Sequence, residues 1–135
     1  MSEGHDLVRR FFDLLGDGNI DAWLALMTDD VAADTPFSPT GAATRFDGIA
    51  EIESRFGDAR LRMESLAFHD VEVLATEDSA RYVATCSSTG TFPGDVPYAN
   101  SYCWMFTIAD GRITHWTEYV DPQAVLAAQR ARAER

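Results

Sequence analysis

The first part of the chain is patterned at helical spacing. In "HDLVRRFFDLLGDG" the apolar residues Leu7, Val8, Phe11, Phe12, Leu14 and Leu15 form one broad stripe, and Gly16 and Gly18 stop it. In "NIDAWLALMTDDV" Asn19 is a suitable helix cap, and Trp23, Leu26 and Met27 share a face. "VAADTPF" reads as a short strand ending at Pro36 and Pro39, and "FSPTGAATRFDG" as a turn-rich loop. A third, short helix is expected over "GIAEIESRFG", with Ile49, Ile52 and Phe56 as its apolar edge.

Beyond that helix the period falls to two. "RLRMESLAFHDVEVLAT" predicts a long or bulged strand, "ARYVATCSSTGTF" a second, "YANSYCWMFTIA" a third and "RITHWTEYV" a fourth. The Asp110-Gly111 pair between the last two is a hairpin signal. Asp121 then caps a closing helix, with Pro122 at its first position. Helices first and a four-stranded meander last predict an α+β domain, its helices on one face of a curved antiparallel sheet.

Composition narrows the function classes. The 135 residues suit a single domain, taken as 1–135, and 46% apolar content is ordinary for a globular chain. No apolar run reaches the roughly 18 residues of a membrane helix, and the start "MSEGHDLVRR" has no signal-peptide character. A cytoplasmic location is the expectation, with no membrane partner. A net charge of -11 repels nucleic acid; the one basic cluster is the tail "AAQRARAER". Cys86 and Cys103 form no CxxC pair, and His5, His69 and His115 have no metal-ligand spacing. There is no glycine-rich phosphate loop. Neither a metal nor a cofactor is expected.

The candidate chemistry lies on the last strands. Alternation puts Arg112, Thr114, Trp116, Glu118 and Val120 on one face and Ile113, His115, Thr117 and Tyr119 on the other. Glu118 beside Trp116 is either a pocket acid or a solvated or interface residue. In a pocket, burial raises its pKa from about 4.3 toward neutrality, as a general acid or base requires. One bulge would exchange it for a neighbour. Asp34 either points into a pocket mouth, pairing with Glu118 from the opposite wall, or accepts bonds in an Asx turn. On "YANSYCWMF", Tyr98, Asn100, Tyr102, Trp104 and Phe106 share a face that is either core or cavity wall. Asn100 there either orders a loop or binds ligand. Tyr82, Tyr102 and Tyr119 are further donors. Arg55 serves an anionic ligand or pairs with one of the 22 acids.

Two motifs carry a family resemblance. "DTPFSPTG" from Asp34 and "DGRITHWTEYVDP" from Asp110, together with the helical start, resemble the SnoaL-like branch of the nuclear transport factor 2-like superfamily. "FPG" at Phe92–Gly94, Tyr98, Asn100, Phe106 and the Glu118–Pro122 ending look most like the phenazine-biosynthesis A/B-type proteins. The resemblance implies a cone-shaped α+β barrel around a deep pocket, in a superfamily of isomerases, cyclases, dehydratases, epoxide hydrolases and non-enzymatic binders. It implies that Glu118 is the pocket acid of the final strand. It also implies that Asp34 matches the general base of the isomerase branch. The third-helix histidine of the phenazine-type proteins has Arg55 at its approximate place. The isomerases' later-strand aspartic acid has no counterpart in Tyr102, Cys103 and Trp104.

The expected site therefore comprises Glu118 and Asp34 as acid and base, with Trp23, Arg55, Asn100, Tyr102, Trp104 and Trp116 against a compact, partly apolar molecule. Three functions are open: a cofactor-independent acid/base enzyme, a small-molecule binder, and an oligomeric accessory protein. A homodimer is expected through the outer sheet face, which carries Thr117, His115 and Tyr119 rather than a row of charges.

Overall fold

The computed structural model describes residues 2–39 and 41–134; Thr40 of the turn-rich loop and Arg135 of the basic tail lie outside it. Helix α1 spans Glu3–Asp17. Ser2 accepts a bond from the His5 amide at its start, and Gly18 ends it in the left-handed conformation at φ 76°. Helix α2, Ile20–Leu24, is capped by Asn19 as expected. It is shorter than its apolar pattern suggests. Strand β1 begins already at Met27 and runs to Asp34, because Met27 pairs with Ile113 of a distant strand. The loop after it holds an unpredicted three-residue strand, β2, Arg45–Asp47, which pairs with the end of β1.

The third helical segment is continuous but irregular: α3 (Ile49–Ile52), a π-helical turn (Glu53–Gly57) and α4 (Asp58–Leu61). It takes up the residues "RL" that the sequence pattern assigned to the next strand. The meander follows as β3 (Ser65–Ala75), β4 (Arg81–Phe92), β5 (Val96–Ala109) and β6 (Arg112–Val120), and the closing helix α5 spans Pro122–Ala133. The β5–β6 hairpin turns at Asp110 and Gly111, both at positive φ (51° and 76°), the geometry that suits the right-handed twist of its strands.

The six strands form one sheet in the order β2-β1-β6-β5-β4-β3, with β1 parallel to β6 and the other pairs antiparallel. Its concave face is closed by α1, α2 and the third helical segment. Phe11 of α1 sits at the centre, with ring centroids of Trp23, Trp104, Phe106 and Trp116 at 5.0–5.5 Å. These contacts come mainly from edge-on rings, each pair worth about 0.5–1.5 kcal/mol beyond area burial.

Register along β6 decides which residues enter the concave face. Ile113 pairs with Ile108 and His115 with Thr107, so Thr114 is an extra, bulged residue. The bulge lies before the candidate acid. Ile113 therefore turns inward against the predicted parity, while Trp116 opposite Phe106 and Glu118 opposite Trp104 keep the inward face.

Candidate functional site

A cavity of about 430 Å³ opens within the cone, in the usual range for small-molecule sites of roughly 300–1,000 Å³. Its floor is aromatic. Trp23, Trp104 and Trp116 line it and are essentially inaccessible to water, and Phe56 and Phe68 add to the walls. The indole N–H groups of the three tryptophans are themselves buried without partners among the described residues, so these residues back the cavity and offer it no donors.

Glu118 is the one carboxylate among the lining residues. None of the ion pairs among the described residues involves it. Burial among rings disfavours its charged form and pushes its pKa up to about 7, against a smaller opposing effect of the Arg55 charge. A carboxyl at that value is populated in both protonation states near neutrality.

Hydroxyl groups provide the polar wall. Asn100 donates from Nδ2 to the Tyr98 hydroxyl at 2.8 Å, the two tyrosine hydroxyls of Tyr98 and Tyr102 are 3.4 Å apart, and Tyr102 meets Ser88 Oγ at 2.7 Å. The Tyr98 oxygen already accepts from Asn100, so its own proton is free to point to Tyr102 or into the cavity. Burial raises the pKa of both phenols, and the Glu118 charge adds to the effect. They stay protonated and act as donors. Burial also pushes the Cys86 thiol up to about 12, so it is no nucleophile near neutrality.

The mouth is formed by side chains that reach solvent: Arg55 of the π-helical turn, Arg62 after α4, Ser38 and Pro39 of the loop after β1, and Gln129 and Arg132 of α5. Among the described residues no cluster of three or more His, Cys, Asp or Glu side chains could hold a metal ion. No described helix is long and apolar enough to cross a membrane.

Residues 8–116 match the SnoaL-like domain. The chain belongs to that family. Among solved structures it superposes on a Bacillus subtilis protein provisionally assigned as an isomerase, with TM-score 0.86 and 25% identity over 96% of each chain. It also superposes on a provisionally assigned polyketide cyclase of Xanthomonas campestris pv. campestris, with TM-score 0.78 and 24% identity over 93% of this chain and 96% of that one. A phenazine biosynthesis-related protein of Pseudomonas aeruginosa matches with TM-score 0.77 and 18% identity, over 93% and 84% of the two chains. The last two likenesses concern the fold alone.

Within this SnoaL-like cone, Glu118, Trp23, Arg55, Tyr102, Trp104 and Trp116 all line one cavity. Two expected site residues do not. Asn100 is 5% exposed and sits behind the wall. Its Oδ1 accepts from the Ser101 and Asp121 amides at 2.8 and 2.9 Å, and its Nδ2 reaches the Asp121 carbonyl at 3.3 Å as well as Tyr98. It therefore orders the β6–α5 corner and positions Tyr98; it does not face the cavity. Asp34 lies outside the cavity altogether. It pairs with Thr117, on the opposite parity from Trp116 and Glu118, and its Oδ2 accepts from His115 at 2.7 Å and Arg45 at 3.0 Å. The parallel pairing of β1 with β6 puts Ala33 inward and Asp34 on the outer face, so no carboxylate pair spans the cavity. His115 faces out with it, as its parity predicts.

Sequence reasoning overlooked Tyr98 as a donor, Ser88, and the arginines Arg62 and Arg132. Tyr98 was legible, since it shares the face of Tyr102 and Trp104. The arginines were not, because nothing local says that α4 and α5 end at one cavity mouth.

Proposed function

We propose that the protein is a cofactor-independent acid/base enzyme, an isomerase or cyclase, acting on a small cyclic, partly apolar metabolite. The observation that carries this reading is Glu118: a lone carboxyl in an aromatic cavity, with its pKa pushed up to about 7. One such group suffices for a proton shift. As carboxylate it removes a proton from carbon next to a carbonyl, and as carboxylic acid it returns that proton to another carbon of the same molecule. The electrons left behind collect on the carbonyl oxygen as an enolate. The Tyr98 and Tyr102 hydroxyls are the neutral donors suited to that oxygen. The membership of the SnoaL-like family and the isomerase-assigned relative support the class. Ring closure follows the same sequence when the enolate carbon attacks a second carbonyl of the same substrate. Lyase chemistry, as in dehydration, would need the same glutamic acid to protonate a leaving hydroxyl.

The decisive experiment is Glu118→Gln on any substrate found by screening cyclic ketones and polyketide-like compounds. Loss of about 10²–10⁴-fold in rate is expected, with binding altered far less. Turnover within a few-fold of the parent overturns the reading.

A second reading is a non-catalytic binder. The observation that favours it is the position of Asp34, which leaves Glu118 without a second carboxylate to divide the roles. Tight binding of a co-purified ligand, with no turnover of it, would decide for the binder. In either case we propose a homodimer through the outer sheet face around His115, Thr117 and Tyr119, burying more than roughly 1,000 Å² in total. A monomer by sedimentation at tens of micromolar would contradict it.

A further inference from the structure

The chain has 22 acidic and 11 basic residues, and every basic one is arginine. The cavity inverts that ratio: its lining holds Arg55, Arg60, Arg62 and Arg132 against the single acid Glu118. One of the four has a structural task. Arg60 donates to the carbonyls of Leu15 at 2.8 Å and Gly16 at 2.7 Å, tying the end of α1 to α4. The other three do not pair with a carboxylate among the described residues.

Two of them lie on rings instead. The Arg132 guanidinium stands 4.2 Å from the Phe92 ring centroid, and that of Arg55 lies 5.2 Å from Phe56 and 5.8 Å from Phe46. A guanidinium held beside a ring instead of by a carboxylate keeps N–H donors available, and its planar fork matches an oxyanion. Glu51, Glu53 and Asp58 are close to Arg55 in sequence, yet none holds it. Low-dielectric aromatic walls strengthen the field that such charges present to an arriving anion.

We propose that the cavity takes a small molecule whose apolar ring system lies against the aromatic walls, Phe56, Phe68 and Tyr102, and whose oxyanion, a carboxylate or a phosphate, is held at the mouth by Arg55, Arg62 and Arg132. This rests on the reading of the cavity as a small-molecule site and narrows its substrate class. The anionic end stays near solvent, while the reactive carbon reaches the depth of Glu118. A neutral ligand of the same shape would leave the three guanidinium groups hydrated at the mouth, with no charge to attract.

The test compares three probes of one shape: 2-naphthoate, 2-naphthyl phosphate and neutral 2-naphthamide. Binding is followed by quenching of tryptophan fluorescence in low salt at about pH 6, below the point at which the Glu118 charge opposes an anion. At least one anion is expected to bind about tenfold or more tightly than the amide, a difference of about 1.4 kcal/mol. The tighter anion identifies the group preferred. Arg55→Gln, Arg62→Gln and Arg132→Gln should each reduce that advantage, and the combined variant should bring it within about twofold while affinity for the amide persists. Arg112→Gln, exposed and outside the cavity, should leave it unchanged. Because all three arginines reach solvent, thermal melting of the single variants provides the check on folding. If the anions bind no more tightly than the amide, or their advantage survives the combined variant, the anion proposal falls and the small-molecule site stands. If no probe binds at all, both fall.

Discussion

Glu118 and Asp34 stand close together in the sheet and in opposite worlds. Glu118 lies on β6, turned into the cone, with rings around it and no partner among the described residues; Asp34 lies on the adjoining β1, turned out, with His115 and Arg45 both within 3.0 Å. One carboxyl is half-buried among rings, with no compensating bond among the described residues, and its proton affinity rises. The other is about a third exposed and held by two donors, a structural arrangement that fastens β1 to β2 and β6. Side-chain chemistry is nearly the same; the face of the sheet makes the difference.

The largest test of that contrast is kinetic. With a substrate in hand, Glu118→Gln should cost about 10²–10⁴-fold and abolish the rate limb near pH 7, whereas Asp34→Asn should stay within a few-fold of the parent. Strongly non-additive losses from the two variants would overturn the separation and return Asp34 to the reaction.

Next in size is the pH dependence of stability. The Glu118 pKa is about 7 when folded and an ordinary 4.5 otherwise. The folded state thus holds its proton more tightly. The associated stability is fully present below about pH 4.5 and is lost as pH rises through about 7. The total is at most roughly 3 kcal/mol at 1.36 kcal/mol per unit. Melting temperatures of the parent should fall relative to Glu118→Gln across that window and then run parallel. Parallel curves throughout would mean the carboxyl is solvated.

A smaller loss is expected behind the cavity wall. Asn100→Ala leaves the Asp121 amide and the Tyr98 hydroxyl without their partner, at about 1–3 kcal/mol of stability. Ligand affinity should fall mainly through a misplaced Tyr98, so Tyr98→Phe in the Asn100→Ala background should add little. The smallest effect belongs to the outer face. A double-mutant cycle between Asp34 and Arg45, which is half exposed, should give a coupling no larger than that of an ordinary surface ion pair, decreasing with salt. A coupling several times larger would make the outer cluster more than an anchor.

Local chemistry made much of this molecule readable in advance. Asn19 and Asp121 cap helices wherever the chain goes, because each bonds to amides two or three residues away. Asp110-Gly111 turns a hairpin because the pair tolerates positive φ. Alternation along "YANSYCWMF" placed Tyr102 and Trp104 together, and it held because β5 has no bulge over that stretch. Glu118 kept its predicted face for a less secure reason: the bulge at Thr114 fell before it rather than after it.

Tertiary structure alone decided the rest, and each case turns on a partner distant in the chain. Strand β2 has three residues and no pattern of its own; the end of β1 makes it a strand. Asp34 faces outward because β1 pairs in parallel with a strand about eighty positions later, and a shift of one residue would have reversed it. Arg132 reaches the mouth because α5 folds back over β5, and only there does Phe92 lie beneath it. The residue types, caps and turns follow from the sequence, since they depend on bonds within a few positions. Partial desolvation of Glu118 belongs to the assembled cone, because the rings that shield it come from α2, the third helical segment, β5 and β6 together.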